Sequence, residues 1–201
     1  GGGVVNGSGD ACADPVEEDL TVGAEAMVMG RWAEGLWQTL VELGPKLVER
    51  HDRYDEVANF MLTATMALNG FIAMGVPQDW ATHMIGHELT ALHGLDHGVT
   101  LAIVYPGMMR VMRAEKFDKL VQYAERVWGA TGTPEQKAEA AVAKTEEFFR
   151  GLGVKTRLSE HGIGEETIDF IVDRFRQRGW ALGERRLVTP ERVAEILRDR
   201  L

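Results

Sequence analysis

The stretch Trp80-Ala-Thr-His83-Met-Ile-Gly-His87-Glu-Leu-Thr-Ala-Leu-His93-Gly-Leu-Asp-His97-Gly98 holds four of the chain's six histidines within fifteen residues. Imidazoles gathered this densely serve as metal ligands, proton carriers or both. A lone histidine is more often bonded to backbone or water; four together reverse that balance. His83 and His87 are four apart and share one helix face, as do His93 and His97. His83 and His97 lie fourteen apart, roughly 21 Å in an unbroken helix. They can meet at one ion only if the chain turns between them, and Gly94 followed by Leu-Asp-His-Gly supplies the turn. The segment therefore predicts a helix through about Leu92, a reversal at Gly94, and His97 swung back toward the helix.

Helical spacing also dominates outward from this stretch. Glu25 to Val48 places Met27, Trp32, Leu36, Leu40, Leu43 and Leu47 on a buried stripe, with Gly44-Pro45 interrupting or kinking the helix. Asp52 to about Met74 predicts a second helix with Val57, Phe60, Met61, Ala64, Leu68 and Phe71 inward. Gly75 to Asp79 is a turn, and Asp79 can cap the histidine helix. Downstream, Val99 to Met112 reads as an apolar helix kinked near Tyr105 by Pro106, and Phe117 to Trp128 as another. Thr133-Pro134 caps a helix to Phe149, stopped by Gly151-Leu-Gly153. Glu165 to Gly179 and Pro190 to Leu201, the latter capped by Thr189, complete the set. Strand-like alternation is nearly absent, so the expected fold is an all-α bundle of about seven to nine helices. Residues 1–15 form an irregular glycine-rich start, and residues 16–201 a single helical domain.

Composition narrows the functions. With 45% hydrophobic and 26% charged residues, the chain is an ordinary globular protein. Its net charge of −9, spread without blocks, argues against nucleic acid or an anionic membrane surface as partner. A single cysteine, Cys12, excludes an internal disulfide and fits a reducing compartment. No apolar run reaches the length of a membrane span, so the expected location is the cytoplasm.

Two imidazoles with one or two carboxylates would make a mixed nitrogen–oxygen site suited to Fe(II), Zn(II) or a similar divalent ion. Named metal motifs do not fit. His87-Glu88 begins like H-E-x-x-H, but Ala91 stands where the second histidine must be. Asp96-His97 has the wrong order for the helical metal phosphohydrolases. Near the start, Asp10 and Asp14 are four apart and can project onto one face as oxygen ligands. Taken alone, they read more simply as part of an acidic helix start favoured by the dipole.

The run Ala67-Leu-Asn69-Gly70, then Gly75 through Gly98, strongly resembles the iron-dependent (group III) alcohol dehydrogenases. The likeness is greatest to the branch containing bacterial NADPH-dependent aldehyde reductases and butanol dehydrogenases. Leu101-Ala-Ile-Val-Tyr-Pro106 and Tyr123-Ala-Glu-Arg-Val-Trp128 continue it, and it covers about residues 25–201. The resemblance implies a two-domain enzyme, of which this chain looks like the second, dehydroquinate synthase-like helical domain. The N-terminal α/β cofactor domain is absent from these residues. It also implies an ion, Fe2+ or Zn2+, held by His83 and His97 together with Asp10 and the residue four positions on. That position is Asp14, where the family has histidine, and Pro15 follows it. Either Asp14 replaces the imidazole, giving two carboxylates and two histidines, or the segment is remodelled and the site incomplete. His87 matches a family histidine beside the nicotinamide and substrate, in a catalytic and cofactor-binding role.

The implied reaction is hydride transfer between NAD(P)H and a small alcohol or aldehyde. Alone, the chain is expected to lack most of the dinucleotide site. It would then act with an α/β partner or as a homodimer. The rival is a catalytically inactive helical metal-binding or dimerisation domain. A metal-dependent hydrolase with Glu88 as base ranks last, because Glu88 points off the ligand face.

Overall fold

A computed structural model describes residues 26–201. Among them are eight α-helices: α1 (Met27–Glu49), α2 (Tyr54–Leu68), α3 (Ala81–His93), α4 (His97–Val111), α5 (Phe117–Trp128), α6 (Pro134–Gly151), α7 (Glu165–Arg178) and α8 (Pro190–Asp199). A single 3₁₀ turn, Ser159–His161, and one isolated antiparallel bridge, Leu182 to Val188, are the remaining regular features described. The all-α expectation holds.

Local chemistry accounts for most boundaries. The Thr133 side chain accepts from the Gln136 N–H while Gln136 reaches back to the Thr133 N–H, a capping box that starts α6 with Pro134 at its first position. Thr189 caps α8 in the same way, accepting from the Arg192 N–H ahead of Pro190. Gly94 takes the left-handed conformation, φ 66°, and closes α3. Two expectations need correction. Helix α1 continues through Pro45 to Glu49, so Gly44-Pro45 does not interrupt it; the proline removes only its own N–H from the ladder. Helix α2 ends at Leu68 rather than near Met74, and Gly70 and Gly75 carry the chain through positive-φ turns.

Two apolar cores result. One gathers Trp37, Leu40, Leu47, Tyr123, Ala138, Val142 and Phe149 between α1, α5 and α6. The other gathers Ile85, Leu89, Ile168, Phe175, Val193 and Leu197 between α3, α7 and α8. Helix α4 serves both: Ala102, Tyr105 and Met109 face the first, Ile103, Val104 and Met108 the second. A helix buried on every side needs no polar face, and α4 is apolar almost throughout. His97 is its first residue.

The predicted inward faces of α1 and α2 are partly wrong. Trp37, absent from the expected stripe, centres the first core, whereas Met27 is 67% exposed and Trp32 43%. On α2 the buried residues are Phe60, Thr63 and Ala67, and Met61 and Leu68 are exposed. Helix α2 packs on α1, and among the described residues its Met61, Leu62 and Leu68 are left exposed. Trp32 stacks on Phe71 with ring centres 4.2 Å apart.

The C-terminal end is fixed by buried charge. Arg200 is fully buried and donates to Glu146, to the Thr156 carbonyl and to Asp199. Burial alone would raise the Glu146 carboxyl. The hydrogen bond and charge of Arg200, helped by Thr156 and Arg157, outweigh it and hold Glu146 below the usual carboxylate range. A depressed folded-state value stabilises the fold above the carboxyl's ordinary range, and that stabilisation is lost as pH falls through the folded value. Thermal melts through mildly to strongly acidic pH should therefore show wild type losing stability faster than Glu146→Gln.

Candidate metal centre

His83 stands one turn into α3 and is buried, 4% exposed. Around it α3 packs on α4 and turns Ala81, Ile85 and Leu89 into the second core. His97 opens α4 after the Gly94 reversal. The two imidazole centres are 5.3 Å apart, so the turn read from the sequence brings together residues that a straight helix would hold about 21 Å apart.

Two rings bound through one nitrogen each, at about 2.0–2.1 Å from a tetrahedral ion, have centres about 5 Å apart. His83 with His97 meets that condition. His87 with His97, at 5.1 Å, meets it equally, whereas His83 with His87, at 6.4 Å, does not. His97 is thus common to either pair, and burial distinguishes the alternatives: His83 is enclosed and His87 exposed. Among the described residues no three His, Cys, Asp or Glu side chains form a group able to hold an ion. An ion held here would need further donors, and Asp10 and Asp14, which the family resemblance implies, lie outside the described residues.

The supporting residues are more specific than the sequence suggested. Gly86 sits between His83 and His87 on α3, and a Cβ there would lie 2.8 Å from the Thr100 hydroxyl of α4. The missing side chain is what lets the helices approach closely enough for His97 to reach His83. Its sequence signal was a glycine inside a helix, which costs about 1 kcal/mol against alanine and calls for a packing reason. Trp80, half-exposed, lies edge-on to His83 with ring centres 5.1 Å apart. Asp79 is buried and accepts from the Ala81 N–H at 3.0 Å, which realises the expected cap one residue ahead of the helix boundary.

Neighbouring polar groups have other work. His93 ends α3 with Nε2 2.9 Å from the Thr167 hydroxyl of α7, so the fourth clustered histidine ties two helices together. Glu88 is buried between two guanidinium groups, ion-paired with Arg174 at 2.7 Å and accepting from Arg178 at 3.1 Å. Its carboxylate is already engaged by two cations, which takes away the one nearby group a hydrolase reading had to call on.

Comparison with known proteins places the fold in a family. Residues 10–201 match the model of the Fe-containing alcohol dehydrogenase family, C-terminal. The chain belongs to that family. The NADPH-dependent aldehyde reductase YqhD of Escherichia coli is 48% identical over 188 residues, 92% of this chain and 49% of that protein. The NADH-dependent butanol dehydrogenase A of Clostridium acetobutylicum is 30% identical over 196 residues, 96% of this chain and 50% of that protein. A solved substrate- and cofactor-free structure of the E. coli reductase superposes with a TM-score of 0.95 at 44% identity, covering 99% of this chain and 53% of that one. An NADH-dependent butanol dehydrogenase A from Thermotoga maritima gives 0.91 at 30% identity, covering 98% and 51%. The chain therefore spans about half the length of the Fe-containing alcohol dehydrogenase relatives it matches. No helix among the described residues is long and apolar enough to cross a membrane.

Proposed function

We propose that this chain is the metal-holding helical half of a nicotinamide-dependent alcohol dehydrogenase or aldehyde reductase acting on a small alcohol or aldehyde. Residues 16–201 form the helical unit, and the segment before it brings the oxygen ligands. The observation that carries the reading is the 5.3 Å separation of the His83 and His97 rings across a chain reversal. In this reading His83 and His97 supply two nitrogens, Asp10 supplies the family's carboxylate oxygen, and Asp14 supplies a second oxygen in place of the usual third imidazole. A divalent ion held there, Fe2+ or Zn2+, supplies Lewis acidity toward the substrate oxygen. His87, exposed next to the pair, orients substrate and nicotinamide and passes a proton between the substrate oxygen and solvent. Buried His83 keeps its side of the site dry, and half-exposed Trp80 walls it.

The hydride itself belongs to NAD(P)H, whose site in this reading is built mainly by an α/β partner domain. The open apolar side of α1 and α2, with Met27, Val28, Met61, Leu62 and Leu68 exposed, supports such a partner. Elemental analysis after anaerobic loading with Fe(II) or Zn(II) tests the metal half of the reading. Wild type is expected to keep near one ion per chain and His83→Ala to lose it. Wild type retaining none would overturn the proposal and leave an inactive helical remnant.

A further inference from the structure

Three ionic side chains far apart in sequence meet beneath the start of α3. Lys116 is buried, with its Nζ 3.0 Å from Asp79 Oδ2 and 3.7 Å from Glu184 Oε2. Asp79 and Glu184 are themselves more than nine-tenths buried along their side chains. Gly183, at φ +85°, presses the Leu182–Val188 hairpin over Asp79, where even a Cβ would sit 3.4 Å from both carboxylate oxygens. The other oxygen of Asp79 takes the Ala81 N–H. Trp80, at the boundary of α3, offers no side-chain cap of its own. The first turn of the histidine helix is thus tethered through one carboxylate to the segment before α5 and to the hairpin before α8.

Burying such a group is poor value as plain stabilisation, since well-packed apolar residues of similar volume usually do as well or better. Its distinctive property is direction: an ammonium between two carboxylates, with one carboxylate also holding a helix amide, fixes the rotation and depth of α3. His83 is two residues beyond the tethered amide, and a ligand that must converge with His97 is sensitive to both. We infer that Asp79, Lys116 and Glu184 act as positioning residues for His83, setting the angle at which its imidazole meets an ion. The inference rests on the reading of His83 as a metal ligand and assigns the geometry of that ligand to residues remote from it.

Cobalt(II) is a suitable probe, because its visible d–d bands report coordination geometry independently of any catalysis. The full chain would be titrated anaerobically as wild type, Asp79→Ala, Asp79→Asn and Lys116→Met, each checked for helix content by circular dichroism. Outer supports of metal ligands are typically worth about 10–100-fold in affinity. Asp79→Ala and Lys116→Met are expected to fall toward the upper end of that range with shifted bands. Asp79→Asn keeps an acceptor for the Ala81 N–H, and is expected to lose about tenfold and keep bands nearer to wild type. Should Asp79→Ala fail to fold, the Asp79→Asn titration decides. Wild-type affinity and bands in the folded variants would overturn the inference alone. A wild type that binds no cobalt would overturn the reading of His83, and the positioning role with it.

Discussion

Replacing Gly86 by valine is expected to abolish ion binding as fully as removing His83, although valine touches no ligand. The Cβ alone would stand 2.8 Å from the Thr100 hydroxyl, 3.4 Å from Thr100 Cβ and 3.5 Å from a Leu101 methyl. Thr100 cannot move aside freely, because its hydroxyl donates to the His97 carbonyl at 2.8 Å and its side chain is buried. The helices must then separate by the better part of an ångström or more. Overpacking of this kind costs about 1–3 kcal/mol, which a chain with two cores can survive. The site cannot, because the His83–His97 spacing depends on this contact. An affinity loss of about 100-fold or more is expected for cobalt or zinc, with circular dichroism close to wild type. Gly86→Ala should fall between the two. Tight ion binding by a folded Gly86→Val chain would show that the approach of α3 to α4 does not set the ligand spacing.

That contact also marks how far the sequence could be read. Helices with strong end signals were legible nearly to the residue: α5 spans Phe117–Trp128 as predicted, and α6 and α8 start at the prolines that follow Thr133 and Thr189. The reversal at Gly94 was legible because two histidines fourteen apart have a use only if the chain folds back. The inward faces of α1 and α2 were not. Periodicity marks an apolar stripe without saying which neighbour covers it, and Met61 and Leu68 belong to a stripe that nothing described here covers. Partners across long sequence distances were illegible for a different reason. Lys116 and Glu184 look like ordinary surface charges, and only the path of the 182–188 hairpin places them around Asp79. Arg200 similarly reads as a solvated tail residue, yet the close approach of α8 to Gly107 buries it completely. Asp10 and Asp14 remain assigned by resemblance, outside the described residues.

The largest loss of stability is expected from Trp37→Ala. Trp37 is 1% exposed, and its ring meets Tyr123, Trp128, Phe148 and Phe149 edge-on or nearly so, at 5.7, 6.0, 5.8 and 6.4 Å between centres. It thus contacts aromatic rings of both α5 and α6, and it cannot be removed without leaving a void that rigid rings cannot fill. Large-to-small changes at such sites cost about 3–5 kcal/mol, or roughly 6–20 °C in melting temperature for a chain of this size. The indole Nε1 makes no hydrogen bond among the described residues, so Trp37→Phe loses only volume and should cost less than half as much. Ion binding by whatever fraction stays folded should remain within a few-fold of wild type. His83 lies against the second core, and α4, which opens with His97, keeps its contacts there through Ile103, Val104 and Met108. A Trp37→Ala chain that melts early yet binds cobalt normally would show that the first core secures the fold while the second sets the site. Loss of binding in step with stability would instead mean that α4 transmits every disturbance of one core to the other.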